Sequence, residues 1–157
     1  MKDFLLSGRR YNGPTSPEDR PLHTEYHRAL CEITREDPRY KREAYDFVLR
    51  ALDRTIHDLE RHTRTGADKH VSPVELLDGV RDLAGREFGL LARAVLESWG
   101  VFQTEDIGEI VFNLVDHRLL NKQDSDSRAD FREGFDFAEV FERDYDIPLT
   151  GDLIGDA

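Results

Sequence analysis

Cysteine, methionine and tryptophan occur once each in the chain, and no apolar run is long enough to span a bilayer. With Cys31 alone, an intramolecular disulfide is excluded and a cysteine-based metal motif has no ligands to draw on. The opening MKDFLLSGRR carries too short an apolar run for a signal peptide, so a cytoplasmic setting is the expectation. Cations are scarce in one half only. Residues 71–157 hold 8 Lys/Arg against 20 Asp/Glu, whereas residues 1–70 hold 14 against 13. Phosphate contacts need Lys and Arg, so neither nucleic acid nor an anionic membrane is an expected partner of the acidic half. Reaction signatures are missing as well: GxGxxG, the P-loop, GxSxG and HExxH do not occur. No catalytic residue, cofactor or dedicated metal site is therefore assigned from motifs.

What is there is helical. Charged residues make up 35% and hydrophobic ones 38% of 157, enough for one domain with a small core. The stretch TEDIGEIVFNLVDHRLL, 104–120, organises the rest. At about 100° per residue, Ile107, Ile110, Val111, Phe112, Leu114, Val115 and Leu119 cover an arc of roughly 200°. That arc is wider than the stripe of a surface helix, so a central buried helix is predicted at about 104–116, with Thr104 as N-cap. Asp106, Glu109, Asn113 and Asp116 share its narrow polar seam.

Other helices have their own signals. Asp37-Pro38 reads as a helix start, with Asp as N-cap and Pro in the first position, for a helix running to about Arg61. Before it, a short helix is predicted over 23–35. Ser72, Pro73 and Glu75 form a capping box for the next helix, with Val71 and Leu76 placed as a staple and Gly89 as the left-handed stop. A further helix over 90–99 ends at Gly100, giving helix, turn, helix up to residue 117. Ser127 and Asp136 can cap two short late helices carrying Phe131, Phe135, Phe137, Val140, Phe141 and Tyr145. The fold class is thus mainly α: a compact domain of about six helices over 22–146. Residues 1–21 read as a flexible extension and 147–157 as a loose tail. One minimal two-stranded ribbon, 69–71 against 119–122, is the only strand pairing in view, in the manner of a winged helix.

Four segments together, DPRYKREAYDFVLRAL (37–52), HVSPVELLDGVRDLAGREFG (70–89), ESWGVFQTEDIGEIVFNLVDHRLL (97–120) and DSRADFREGFDFAEVF (126–141), resemble the Minf-type family, small bacterial proteins with no assigned activity. The resemblance covers about residues 26–145. It implies a helical bacterial domain and brings no catalytic or ligand residues.

Several side chains merit a chemical reading beside the plain one. Glu87 shares an arc with Leu76, Val80 and Leu83, so it is either a partly desolvated acid–base group or the partner of an arginine such as Arg118 or Arg128. His70, at a helix N-terminus, has its protonation disfavoured, or simply ends a loop. Asp106 and Glu109, at i and i+3, can share a cation if another helix contributes, or form a solvated face. Asp124, Asp126 and Arg128 begin like a calcium loop, but Ala129 and Phe135 occupy the glycine and glutamate positions. His23 and His27 lack a third ligand. Trp99 is a packing residue or an interface anchor, and with Phe112 marks a surface worth testing. Three classes of function stay open. The first is an interaction or regulatory module whose acidic half meets a protein with a basic surface. The second is a small enzyme using Glu87, His70 or Asp106 and Glu109. The third is a winged-helix-like fold without strong nucleic-acid binding, since its second helix opens with acids.

Overall fold

A computed structural model describes residues 4–5, 20–62, 70–122, 127–132 and 134–144. Five α-helices and one very small sheet make up the described part, so the fold is mainly helical. In chain order they are β1 (Phe4–Leu5), α1 (Arg20–Glu36), α2 (Arg42–His62), β2 (His70–Val71), α3 (Pro73–Phe88), α4 (Ala92–Ser98), α5 (Thr104–Asp116) and β3 (Asn121–Lys122). A 3-10 turn at Gly89–Leu91 joins α3 to α4, and a second lies at Arg128–Phe131. A π-helical turn over Glu139–Arg143 closes the described chain.

The core is built from the expected faces. α5 buries Ile107, Gly108, Ile110, Val111, Phe112 and Leu114, so it is enclosed on most of its surface. α2 supplies Ala44, Tyr45, Phe47, Val48, Ala51 and Leu52, and α3 supplies Leu76, Leu77, Val80, Leu83 and Ala84. Phe131 enters against α5 where Gly108 leaves room: a Cβ there would lie 2.8 Å from the ring. The late aromatic residues Phe135, Phe137 and Phe141 pack on one another with centroids 5.6–5.8 Å apart. Tyr145 and the 147–157 tail lie outside the described residues.

Local signals set the ends of α3. The Ser72 hydroxyl accepts from the Glu75 N–H at 3.2 Å, and the Glu75 carboxylate accepts from the Ser72 N–H at 2.8 Å. Gly89 stops the helix with φ 54°. Elsewhere the sequence reading needs correction. Thr104 is not the N-cap of α5; Gln103 is, and Thr104 is buried in the first turn with its hydroxyl donating to the Phe131 carbonyl at 2.6 Å. A partner 27 residues downstream has taken the hydroxyl that would have capped. Nor does α2 begin at Asp37-Pro38: it begins at Arg42. The expected late helices are 3-10 and π turns, although Ser127 and Asp136 cap as their sequence suggests.

The two segments of the expected ribbon do form strands, 70–71 and 121–122, but they do not pair with each other. The sheet order is β2-β1-β3, with Phe4 opposite Val71 and Lys122, and Leu5 opposite His70 and Asn121, both pairings antiparallel. Phe4–Leu5, from the stretch read as an extension, is therefore the middle strand, and α1 begins at Arg20 within that same stretch.

Candidate functional site

The polar seam of α5 faces the turn that joins α1 to α2, and polar side chains from both sides meet at this junction. It starts with Asp37. The Asp37 N–H continues α1 by donating to the Ile33 carbonyl at 2.8 Å. Its carboxylate then accepts the Arg39 guanidinium in a fork, 2.8 Å from Nε and 2.7 Å from Nη2, and the Arg39 N–H at 3.3 Å. That is why Pro38 sits in a tight turn rather than in the first turn of a helix.

Across the junction, Asn113 Nδ2 donates to Asp37 Oδ2 and to the Tyr45 hydroxyl oxygen, each at 3.0 Å. The Tyr40 hydroxyl donates to Asp106 Oδ1 at 2.7 Å. The other oxygen of Asp106 accepts the N–H groups of Phe102 and Gln103 at 2.9 and 3.1 Å, securing the first turn of α5. Glu109 lies between two arginines, 3.5 Å from Arg39 Nη2 and 3.3 Å from Arg128 Nε. Arg128 also stacks over Phe112 at 5.0 Å, and Arg39 over Tyr40 at 5.1 Å.

The backbone locks the same turn from behind. Lys41 N–H donates to the Trp99 carbonyl at 3.0 Å. Gly100, at φ 92°, lies so close to the Arg39 carbonyl that a Cβ would fall 2.0 Å from its oxygen. Only glycine meets both demands.

The electrostatics decide what this junction can do. The fork from Arg39, with help from Asn113, holds the Asp37 carboxyl well below the usual carboxylate range against the opposing effect of burial. The same bond to Asp37 raises Arg39. Burial, reinforced by the bond to Asp106, pushes the Tyr40 phenol up, and burial does the same to Tyr45. An acid–base catalyst near neutral pH needs a group that titrates there. Asp37 is too weak a base and the two phenols too weak as acids, so these three residues serve as fixed hydrogen-bonding groups.

The residues singled out from sequence now separate. Asp106, Glu109 and Asn113 do come together, joined by Asp37, Arg39, Tyr40, Tyr45 and Arg128. Asp116, the fourth of the seam, is exposed at the end of α5. Phe112 is only 7% exposed and lies under Arg128. Trp99 is half-buried in a trio with Phe47 and Phe88, at centroid distances of 5.6 and 5.7 Å, so it is a packing residue rather than a free anchor. Glu87 is not desolvated on the core arc. It accepts Arg50 in a fork at 2.7 and 3.2 Å, and neither Arg118 nor Arg128 is its partner. His70 is in β2, and its side chain lies outside the described residues, as do Asp124 and Asp126. Among the described residues no cluster of three or more His, Cys, Asp or Glu side chains is arranged to hold a metal ion. None of the described helices is long and apolar enough to cross a membrane.

Two features escaped sequence reasoning. Arg39 is forked onto its near neighbour Asp37, but it and Tyr45 also reach Glu109 and Asn113 on α5, about seventy positions away, and no local pattern announces those contacts. Phe102 is the other. It precedes the N-cap Gln103 and stands where a staple residue would fold back on Ile107, but it remains 62% exposed. With Thr104 expected as the cap, Gln103 held the staple position, and Phe102 takes it only because the cap is Gln103. Comparison with protein-family models, with curated proteins and with solved structures yields no match.

Proposed function

We propose that this chain is a protein-interaction or regulatory module, and that it meets a partner with a basic surface through the edge around Phe102. The observation that carries the reading is a large aromatic side chain, 62% exposed, whose own N–H is pinned to Asp106 at 2.9 Å. An aromatic group on a fixed backbone binds with little loss of conformational freedom, which is what an interface anchor needs. Glu105, exposed one helical position past Gln103 and Thr104, supplies negative charge beside it. The charge balance supports a cationic partner in a further way. Residues 123–126 and 145–157 carry five Asp and no Lys or Arg. Some acids on the helices of the same half are matched by arginines, as Asp82 is by Arg54 and Arg86, whereas those two segments carry five of that half's twelve surplus negative charges with no cation within either segment. Bacterial origin, a cytoplasmic setting and kinship with Minf-type proteins belong to the same proposal.

The test is affinity purification of the full chain from its native cell at low salt, alongside Phe102→Ala. The expected result is a co-purifying protein with a basic contact surface, released by salt and bound about tenfold or more weakly by the variant. Repeated recovery of the chain alone at low salt overturns the reading.

A further inference from the structure

β2 and β3 do not pair with each other. Each pairs antiparallel with β1, so Phe4 and Leu5 fill a slot between two strands from distant parts of the chain. Both walls of that slot are fixed by their own neighbours. β2 packs on α2 and runs straight into α3, where Ser72 is tied to Glu75 by the capping box, and Val71 is buried in the core. β3 follows the end of α5. There Arg118 turns the chain at φ 60°, and the N–H groups of Leu119 and Leu120 both donate to the Leu114 carbonyl, at 2.9 and 3.3 Å. Leu120, directly before β3, is buried as well. None of these anchoring bonds uses Phe4 or Leu5. The occupant is held differently. It is two residues long, against about five or six in a typical strand, so it makes few ladder bonds, and each contributes little net because water can replace it. Residues 6–19, with Gly8, Gly13, Pro14 and Pro17 among them, tether it to α1 and are long enough to let the strand leave and return. An empty slot exposes the facing N–H and C=O groups of β2 and β3, and unpaired strand groups are the template on which another strand adds.

We propose that the gap between β2 and β3 is a strand-acceptor site for an extended peptide, and that the chain's own N-terminal strand is its tethered, displaceable occupant. The ligand is a segment of another polypeptide that offers free backbone N–H and C=O groups and an aromatic–aliphatic pair like Phe4-Leu5. It adds antiparallel to both walls, and main-chain bonds supply its affinity. The register sets its aromatic position opposite Val71 and Lys122, and its aliphatic position opposite His70 and Asn121. The tether gives the resident strand a high local concentration, which keeps weak competitors out and admits stronger ones. The site uses no residue of the edge around Phe102 and does not depend on that reading.

The test uses the full chain carrying Leu5→Pro. Proline cannot donate to a ladder, so the resident strand is weakened while both walls stay as they are. A fluorescently labelled peptide of residues 1–8, MKDFLLSG, is titrated with this variant and with wild type, and anisotropy is read. The variant is expected to bind the peptide about tenfold or more tightly than wild type does, and its Tm to rise with peptide concentration. A peptide carrying the same Leu5→Pro change should bind neither chain. Equal affinity for the two chains, binding of the proline peptide, or no binding to the variant overturns the proposal. So does a variant that fails to fold, because a displaceable occupant cannot be what holds the walls in place.

Discussion

Two carboxylates in this molecule each accept an arginine through two bonds, and their surroundings make them different objects. Asp37 accepts from Nε and Nη2 of Arg39, and Glu87 from Nη1 and Nη2 of Arg50. Asp37 takes Arg39 at 2.7 and 2.8 Å; Glu87 takes Arg50 at 2.7 and 3.2 Å. Arg39 is even the more exposed of the two guanidinium groups, at 57% against 47%. The fork therefore does not decide which pair matters. The Asp37 side chain is only 17% exposed and also receives Asn113 and a backbone N–H, whereas Glu87 is 32% exposed and its bonds run to Arg50. A carboxylate becomes part of the architecture when donors from several elements converge on it. A bidentate pair at the rim stays an exposed ion pair, with a contribution near the usual small value.

The harshest way to break the first arrangement is to part the turn from its backing. Gly100→Ala places a methyl group 2.0 Å from the Arg39 carbonyl oxygen and asks a residue with a Cβ to adopt φ 92°. The turn that carries Asp37, Arg39 and Tyr40 must move, and a loss of about 3 kcal/mol or more is expected in urea unfolding. If the variant unfolds at the wild-type midpoint, the turn is not held where the junction requires it.

Next comes the amide that bridges the elements. Asn113→Ala removes the donor to both Asp37 and Tyr45, with an expected loss of about 2 kcal/mol. The acid side offers an independent reading of the same contact. The Asp37 carboxyl titrates lower in the folded chain than in the unfolded one, where an aspartate titrates near pH 4. Its stabilisation is complete above that value and is lost as pH falls below it toward the folded value. Asp37→Asn should flatten the acid limb of the stability profile below about pH 4, and equal slopes in the two proteins would remove Asp37 from the centre of the junction.

How much of this could be read from sequence follows the same division between local and distant partners. The capping box at Ser72 and Glu75 was readable because both members sit within one turn, and nothing else competes for them. The burial of α5 was readable because its apolar residues are too many for a surface helix. Asp37-Pro38 carries an equally good local signal for a helix start, and it misleads. The carboxylate that would cap is drawn to Arg39 and to Asn113, 76 positions away. Thr104 misleads for the same reason, with Phe131 as its distant partner. Of the junction, one wall was visible as the Asp106, Glu109 and Asn113 seam. The opposite wall depends on how the chain returns upon itself, and a single sequence carries no mark of that. Phe102 shows the limit from another side: it takes the staple position only because the cap is Gln103 rather than Thr104, and its ring still stays outside.

The smallest effect belongs to the exposed pair, and it sharpens the comparison most because it isolates the fork itself. Glu87→Gln keeps the size of the side chain and one acceptor for Arg50, and removes the charge together with the second acceptor of the fork. Arg50 also lies over the Phe47 ring at 5.6 Å, so the guanidinium retains a resting place when the carboxylate is gone. A loss of about 0.5 kcal/mol or less is expected at low ionic strength, shrinking further in about 1 M salt, where charges are screened within roughly 3 Å. Asn113→Ala carries no charge change and should hold its cost at both salt concentrations. A Glu87 variant that loses as much as the Asn113 variant, and keeps losing it in high salt, would mean that forked geometry alone confers architectural weight. The convergence of donors at Asp37 would then explain nothing about why that junction holds.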